Sequence, residues 1–555
     1  MSLTRTDFEV SRWSGCNPNH PGDPATLQLV FNMFCPLPDN SNYAQRPGFR
    51  AMGTQSGFPL KEVPQPTTNI ESQAAGSFVT LAGVTHNFYV AAGEIYDDAT
   101  GLLVFARRIV TGDYTGATNG AVTVKTSGLI YWCEYNGQVV FNDGTNQPFM
   151  WNGTSGGGLT LLDNAPATAI GRPVAYYGKL FFIKTGNTLV WSEENAPNTG
   201  YEADGYNNTW DLRQTSGEPI IAIVGTNDAL YYFRPSSIGR ITGAVTPDFA
   251  TTGTDDGVSD LYGTVSYLGA EKITGNTIAF GDQYGRPCLV ADGVVVPIYK
   301  QCIDATLPEA QRMDDRPVRS VPAVGLTGVA RYASNVFIGH QVGYGVVLFG
   351  NGGINAEYMF AFNAETWKLQ GWWFAEYSGS GSENSWRATG QGYNTTGATA
   401  GQVGGRSPLL FLVPYDTTYG KVARIEYADD DSNQDTVWSS ASNYTALVLT
   451  HEIPSRANTI NYHFEEIEIT FSAKSAGTMN VRYWTSDVSS YPAVQAVATA
   501  AYDNRVRVGI NGFGRWIIVR LDPEYRTAAS DGNFNLESIR VVGYAADREG
   551  ASKSR

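Results

Sequence analysis

The chain has 555 residues, 61 of them glycine, with 42% hydrophobic, 12% aromatic and only 16% charged residues, and a net charge of −15. Such a length carries a prior of roughly three to four domains, although a large all-β unit can absorb far more. The acidic balance argues against a protein that grips nucleic acid by neutralising phosphates, and abundant glycine and aromatics with little charge favour short strands joined by tight turns.

The charge is unevenly placed. Residues 441–555 carry 12 basic and 12 acidic side chains, so the whole excess of −15 falls within residues 1–440. The five cysteines (Cys16, Cys35, Cys133, Cys288, Cys302) are scattered and form no C-x-x-C pair, which fits isolated buried thiols in a reducing compartment better than a zinc or redox site. The start, MSLTRTDFEVSRW, lacks the apolar stretch of a signal peptide, and no run approaches the 18 or so apolar residues of a spanning helix. These features lead us to expect a soluble chain made in a cytoplasm.

Residues 1–75 read as an extended N-terminal segment that closes onto the repeating region C-terminal to it. Within it, LQLVFNMFCPLPDNSNYAQRPGFR (27–50) holds a short strand followed by Asn32, a Pro-rich turn, and Arg46-Pro47-Gly48-Phe49, which closes it. Pro47 forces Arg46 to be extended and pre-sets a turn in which Gly48 can take positive φ.

From about residue 76 an apolar strand, a glycine-centred turn and another strand recur. FVTLAGVTHNFYVAAGEIYDD (78–98) is the first such unit, followed by units at 128–153, with Asn136-Gly137 and Asp143-Gly144 turns, and at 171–195. Further units occupy 218–243, 276–298 and 336–374, and SPLLFLVPYDTTYGKVARIEYAD (407–429) is a candidate for one more. A spacing of about 40 to 60 residues is the period of propeller blades, and radial closure hides sheet edges. Residues 76–435 are therefore expected to form a β-propeller of six or seven blades, with stacked sandwiches as the competing arrangement. One short helix is expected at 305–313.

After the acidic stretch DDDSNQD (429–435) six alternating strands lie close together in residues 436–555, the pattern of a separate β-sandwich. The overall fold class is thus all-β. RVRVGINGFGRWIIVRL (505–521) imitates a dinucleotide loop, but the third glycine position is Ile517, a strand-like run follows, and only 34 residues remain after Leu521. Asn511-Gly512 between two apolar alternations reads instead as a hairpin turn.

Few residues suggest chemistry. The histidines (His20, His86, His340, His451, His463) have no metal-ligand spacing, and no G-x-S-x-G elbow occurs. Asp429, Asp431 and Asn433 resemble the start of a calcium loop, but Gln434 and Ser440 stand where glycine and glutamate are required. Glu193 and Glu194 are the nearest approach to a carboxylate pair, and neighbours in a strand point to opposite faces. Trp191, Trp367, Trp372 and Trp373 could stack on sugar rings, but serve better as core anchors. We expect no catalysis, no cofactor and no bound metal.

The segment 27–50 resembles the opening of the tail hub, or nozzle, proteins of short-tailed bacteriophages, also called packaged-DNA stabilisation proteins, in Asn32 and in Arg46-Pro47-Gly48-Phe49. GTNDALYYFRPSSIGRITGA (225–244) is similar to a blade of that family, GRPCLVADGVVVPIYKQCIDATLPEA (285–310) to its strand pair and short helix, and Gly514-Arg515 to its C-terminal hairpin signature. The resemblance runs in order over most of the chain. It implies a structural protein of the virion, synthesised in the bacterial host cytoplasm, whose six copies form a ring below the portal and its head-to-tail adaptor. That ring would extend the DNA channel, help retain and then release the genome, and offer a dock for tail fibre, spike or needle proteins. The loops 196–216, 244–270 and 379–406 are candidates for subunit and adaptor contacts or for plain exposed linkers. The competing expectation is a carbohydrate-binding or carbohydrate-processing propeller.

Overall fold

A computed structural model of the protein describes residues 5–11, 13, 15–16, 27–35, 42–46, 49–51, 72–91, 94–97, 107–110, 122–125, 128–154, 158–201, 205, 208–212, 217–243, 253–304, 323–324, 336–341, 345–351, 358–374, 387–391, 409–413, 421–425, 434–435, 442–443, 446–454, 458–473, 477–487, 495–499, 502–524 and 534–546. Five short strands open the chain: β1 (Arg5–Val10), β2 (Leu27–Phe31), β3 (Met33–Phe34), β4 (Tyr43–Gln45) and β5 (Phe49–Ala51).

Seven four-stranded antiparallel blades come next. Blade 1 begins with the strand Ser72–Val79, blade 2 with Tyr131–Tyr135, blade 3 with Ile170–Tyr176 and blade 4 with Ala222–Gly225. Blades 5, 6 and 7 begin with Ala270–Thr274, Val336–Gln341 and Arg387–Gln391. These first strands touch in succession round the ring, and Arg387–Gln391 returns to touch Ser72–Val79, so the ring is closed. The fourth strand of blade 7 is β5, which pairs with Lys421–Ile425. Each of the seven sheets overlaps one of the strand-and-turn units read from the sequence, and blade 7 also draws two strands from outside the candidate unit 407–429, namely Arg387–Gln391 and β5.

Local chemistry sets the hairpins. In blade 2, Asn136 (φ 47°) and Gly137 (φ 70°) link the paired Tyr135 and Gln138, and in blade 5 Asp292 (φ 48°) and Gly293 (φ 77°) link Ala291 and Val294. Two residues at positive φ give the turn whose twist matches that of the flanking strands. Blade 3 makes the same link with Tyr177 (φ 46°) and Gly178, a conformation that a bulky side chain adopts only at a cost of order 1–3 kcal/mol.

Between blades the cores are apolar. Trp151, Phe141 and Phe88 fill the space between blades 1 and 2, and Trp191, Tyr232 and Ile223 that between blades 3 and 4. The inner strands approach closely where one side chain is absent: a Cβ on Gly76 would lie 2.1 Å from the Trp132 ring of the next blade.

The C-terminal part is a two-layer sandwich. One sheet runs β3, β4, Phe534–Ala545, Tyr462–Ala473, Tyr502–Gly514, with β1 also paired to Phe534–Ala545. The other contains Leu447–Thr450, Ile517–Glu524, Gly477–Thr485 and Gln495–Thr499. This second sheet does not stop at the sandwich. β2 pairs antiparallel with Leu447–Thr450 and parallel with Leu369–Phe374 of blade 6, so one nine-stranded sheet passes from propeller to sandwich. A single core, including Trp13, Phe31, Tyr43, Trp372, Phe464 and Ile517, lies under both.

Two expectations need correction or restriction. Asn511-Gly512 is not a hairpin turn: Tyr502–Gly514 is one continuous strand, and Ile517–Glu524 belongs to the other sheet. The chain turns a corner at Arg515-Trp516, and the glycines serve close approach. A Cβ on Gly512 would stand 2.9 Å from Thr485 Cγ2, and one on Gly514 2.6 Å from Ser486 Oγ. The expected helix at 305–313 lies outside the described residues, and a 3-10 turn, Ile298–Gln301, precedes it.

Candidate functional site

Two places in the fold gather the residues singled out by sequence. The first is the joint between blade 6 and the sandwich. Asn32 follows β2 and adopts φ 52°, a left-handed conformation that asparagine tolerates better than most residues. That twist leaves the Asn32 backbone N–H donating to Trp372 O (2.8 Å), while its carbonyl accepts from Arg46 N (2.9 Å). The Asn32 side-chain Oδ1 accepts from Arg46 Nε at 2.8 Å.

Asn32 and Arg46 are both fully buried. A buried guanidinium needs partners for its donors, because an uncompensated charge in the interior is costly. Phe34 packs edge-on to Trp373 at 5.3 Å, and Gln370 Oε1 accepts from Cys35 N at 3.1 Å, completing the joint. Pro47 and Gly48 lie outside the described residues; Phe49 opens β5, the strand that completes blade 7. Gly514 and Arg515 stand elsewhere, at the sandwich corner, where the Arg515 backbone N–H donates to Ser486 Oγ at 2.8 Å. The motif at 32–49 therefore holds the joint, and the motif at 514–515 holds the corner.

The second place is the propeller axis. Arg172, on the inner strand of blade 3, forms an ion pair with Glu271, on the inner strand of blade 5. Blade 4 lies between those blades in the ring, so this pair reaches past the inner strand of blade 4. Tyr131 of blade 2 meets Tyr267, in the connection from blade 4 to blade 5, edge-on at 5.7 Å. Gly171 (φ 66°) fits beneath Tyr267, where a Cβ would come within 3.1 Å of its ring.

Burial pushes the Cys133 thiol up to about 12, despite the opposing pull of Arg172, so it stays protonated and is a poor nucleophile. Burial also raises the Glu134 carboxyl. Nothing in the sequence signalled the Arg172–Glu271 pair, since the two residues are 99 positions apart in unrelated turns of pattern.

The other chemical candidates have structural employment. Trp191, Trp372 and Trp373 are buried, and Trp367 packs against the main core. Glu193 accepts a hydrogen bond from Asn208 Nδ2 at 2.9 Å, whereas Glu194 is exposed. His86 stacks on Phe78 with ring centroids 5.2 Å apart. Among the described residues no three His, Cys, Asp or Glu side chains gather as a metal site, and no helix is long and apolar enough to cross a membrane.

The sandwich carries a cross-strand charge ladder that sequence reading missed. Glu9, Arg540, Glu468 and Arg507 lie side by side on four adjacent strands. Glu468, almost buried, accepts from Arg505 and from Arg507 Nε (3.0 Å), with Arg540 Nη1 3.7 Å away. The hydrogen bond from Arg505, joined by the Arg507 charge, holds its carboxyl below the usual range. Only the register reveals this network, because opposite charges adjacent across strands are far apart along the chain.

No protein-family model matches the sequence, and no curated protein matches it. Among solved structures, an extracellular domain from B. thetaiotaomicron is similar at 12% identity and TM-score 0.37, over 69% of this chain and 40% of that chain. Kluyveromyces lactis Hsv2 is similar at 8% identity and TM-score 0.33, over 68% and 93% of the two chains. The WD40 domain of Toxoplasma gondii coronin is similar at 9% and 0.34, over 74% and 90%. These are distant likenesses, and nothing about activity follows from them. The protein is an all-β chain, a propeller joined to a β-sandwich.

Proposed function

We propose that the chain is a hub, or nozzle, subunit of a short-tailed phage tail, acting by assembly and without turnover. The observation that carries this reading is the family-like motif of residues 32–49. Asn32 and Arg46, 14 residues apart, meet by a buried hydrogen bond at the joint of propeller and sandwich. A signature with such a place in the architecture has a physical reason to recur in proteins built on the same plan.

A further feature supports it. The acidic excess lies in residues 1–440, and outer strand Thr254–Ser259 of blade 4 exposes Asp255. An acidic wall would let DNA slide, where a basic wall would hold it. Fibre, spike or needle proteins would dock on the outer surface of such a ring.

Electron microscopy of the purified chain, alone and mixed with a head-to-tail adaptor protein of a short-tailed phage, tests the proposal. A six-fold ring on the tail axis is the expected result. A monomer that retains or cleaves glycans would overturn it in favour of a carbohydrate-directed propeller.

A further inference from the structure

Asn511-Gly512 makes no turn, and only its glycine has a packing reason to be there. Asn511 itself is exposed, on the strand Tyr502–Gly514. Between the pairs Phe464–Gly512 and Glu466–Gly509 the register slips, and Glu465 alone faces Ile510 and Asn511. A bulge of this kind leaves a residue outside the ladder and loosens the strand locally.

His463, on the neighbouring strand Tyr462–Ala473, lies with Nε2 2.8 Å from Asn511 Oδ1. A carboxamide oxygen only accepts, so Nε2 is the nitrogen that carries the hydrogen. On the other side of the ring, Nδ1 is 3.9 Å from Glu465 Oε1. The imidazole is thus held between a carboxylate and the amide. The His463 and Glu465 side chains are 45% and 49% exposed, so water reaches the site.

We propose that Asn511-Gly512 is a self-modification site, at which His463 promotes the loss of ammonia from Asn511. The Asn511 Cγ is one ring closure away from the Gly512 nitrogen, and glycine has no Cβ to shield that nitrogen. The nitrogen attacks Cγ, and the new N–Cγ bond closes a cyclic imide. Negative charge gathers on Oδ1, where the Nε2–H of His463 already points, and a donor so placed stabilises the charge as it develops. The Cγ–Nδ2 bond then breaks, and the proton given up by Gly512 leaves with Nδ2 as ammonia. Water opens the imide at either of its carbonyls. One product is aspartate at 511, facing His463 with a carboxylate. The other is isoaspartate, which lengthens the main chain of Tyr502–Gly514 by one carbon.

Blade 2 holds an internal reference. Asn136-Gly137 is the same dipeptide on an exposed hairpin tip, and there the amide Nδ2 donates to Asn195 Oδ1 at 3.1 Å.

The test incubates the full-length chain at neutral pH, folded and in urea, and maps its peptides by mass spectrometry. Loss of ammonia and conversion of amide to acid are followed at 511 and at 136, and isoaspartate is counted by enzymatic methylation. General acid–base assistance contributes roughly 10²–10⁴-fold. At this exposed site the folded chain is expected to convert Asn511 at least about tenfold faster than the unfolded chain does. His463→Phe keeps a ring and removes the donor; it is expected to abolish that acceleration and leave conversion of Asn136 unchanged. Folding that leaves the Asn511 rate the same or slows it overturns the proposal, and this comparison needs no variant. A folded His463→Phe chain, with the circular dichroism of the parent, that converts Asn511 as fast as the parent overturns it too.

Discussion

Replacing Asn32 separates two contributions to the joint. Asn32→Gly keeps the left-handed backbone available but removes the oxygen that accepts from Arg46 Nε at 2.8 Å. A hydrogen bond to a charged group contributes about 1.5–3 kcal/mol, and the guanidinium left behind is buried. Asn32→Ala removes the same oxygen and also sets a Cβ-bearing residue without a compensating polar group at φ 52°, which adds about 1–2 kcal/mol. The alanine variant is therefore expected to lose about 2.5–5 kcal/mol and the glycine variant about 1.5–3 kcal/mol. Urea unfolding followed by both tryptophan fluorescence and circular dichroism reads the difference, because Trp372 and Trp373 border the joint and coincident curves check the two-state assumption. Equal losses in the two variants, or a glycine variant as stable as the parent, would refute the account of Asn32 as both hinge and acceptor.

Gly76→Ala drives a methyl into the Trp132 ring and is expected to cost about 1–3 kcal/mol, seen as a lower urea midpoint. Tyr177→Val puts a β-branched residue at φ 46° and is expected to cost about 1–3 kcal/mol, whereas Tyr177→Asn should remain within about 1 kcal/mol of the parent because asparagine tolerates that conformation. His340 is buried in blade 6, and burial lowers its imidazole to about 4. Between pH 6.5 and 4 the unfolded chain takes up the proton and the folded chain does not, so stability falls as pH is lowered through that window. The loss reaches about 3 kcal/mol at the bottom of it, and His340→Gln is expected to flatten that part of a urea-midpoint series against pH. Glu468, held below its usual range by Arg505, contributes stability that is present at neutral pH and lost as pH falls through its folded pKa, so Glu468→Gln should cost most at about pH 7 and progressively less in acid below the usual carboxylate range.

The blades were legible because each turn announces itself locally. Asn136-Gly137 and Asp292-Gly293 bring positive φ to two adjacent positions between apolar runs, and such pairs have few other uses. The same logic misread Asn511-Gly512, whose glycine answers to Thr485 on the opposite sheet, a neighbour that no local window contains. Asn32 and Arg46 were legible only as a motif; the bond between them required the fold. The Arg172–Glu271 pair and the Glu468 ladder were silent, since ring closure and strand register bring those charges together. The joining of propeller and sandwich by β2 was also hidden, because a five-residue apolar strand does not reveal how many sheets it will border.

The placing of β1 and β5 has a consequence for biosynthesis. β5 leaves the ribosome early, yet its partner Lys421–Ile425 is among the later parts of the propeller to be translated. Asp7 of β1 bonds to Arg540, 533 residues further on. A nascent chain therefore carries the unpaired strand β1 until residues 534–545 have been made, and contacts of such separation form slowly. Fragments that end before residue 534 lack the strand that receives β1, so recombinant production favours the uninterrupted polypeptide over trimmed pieces.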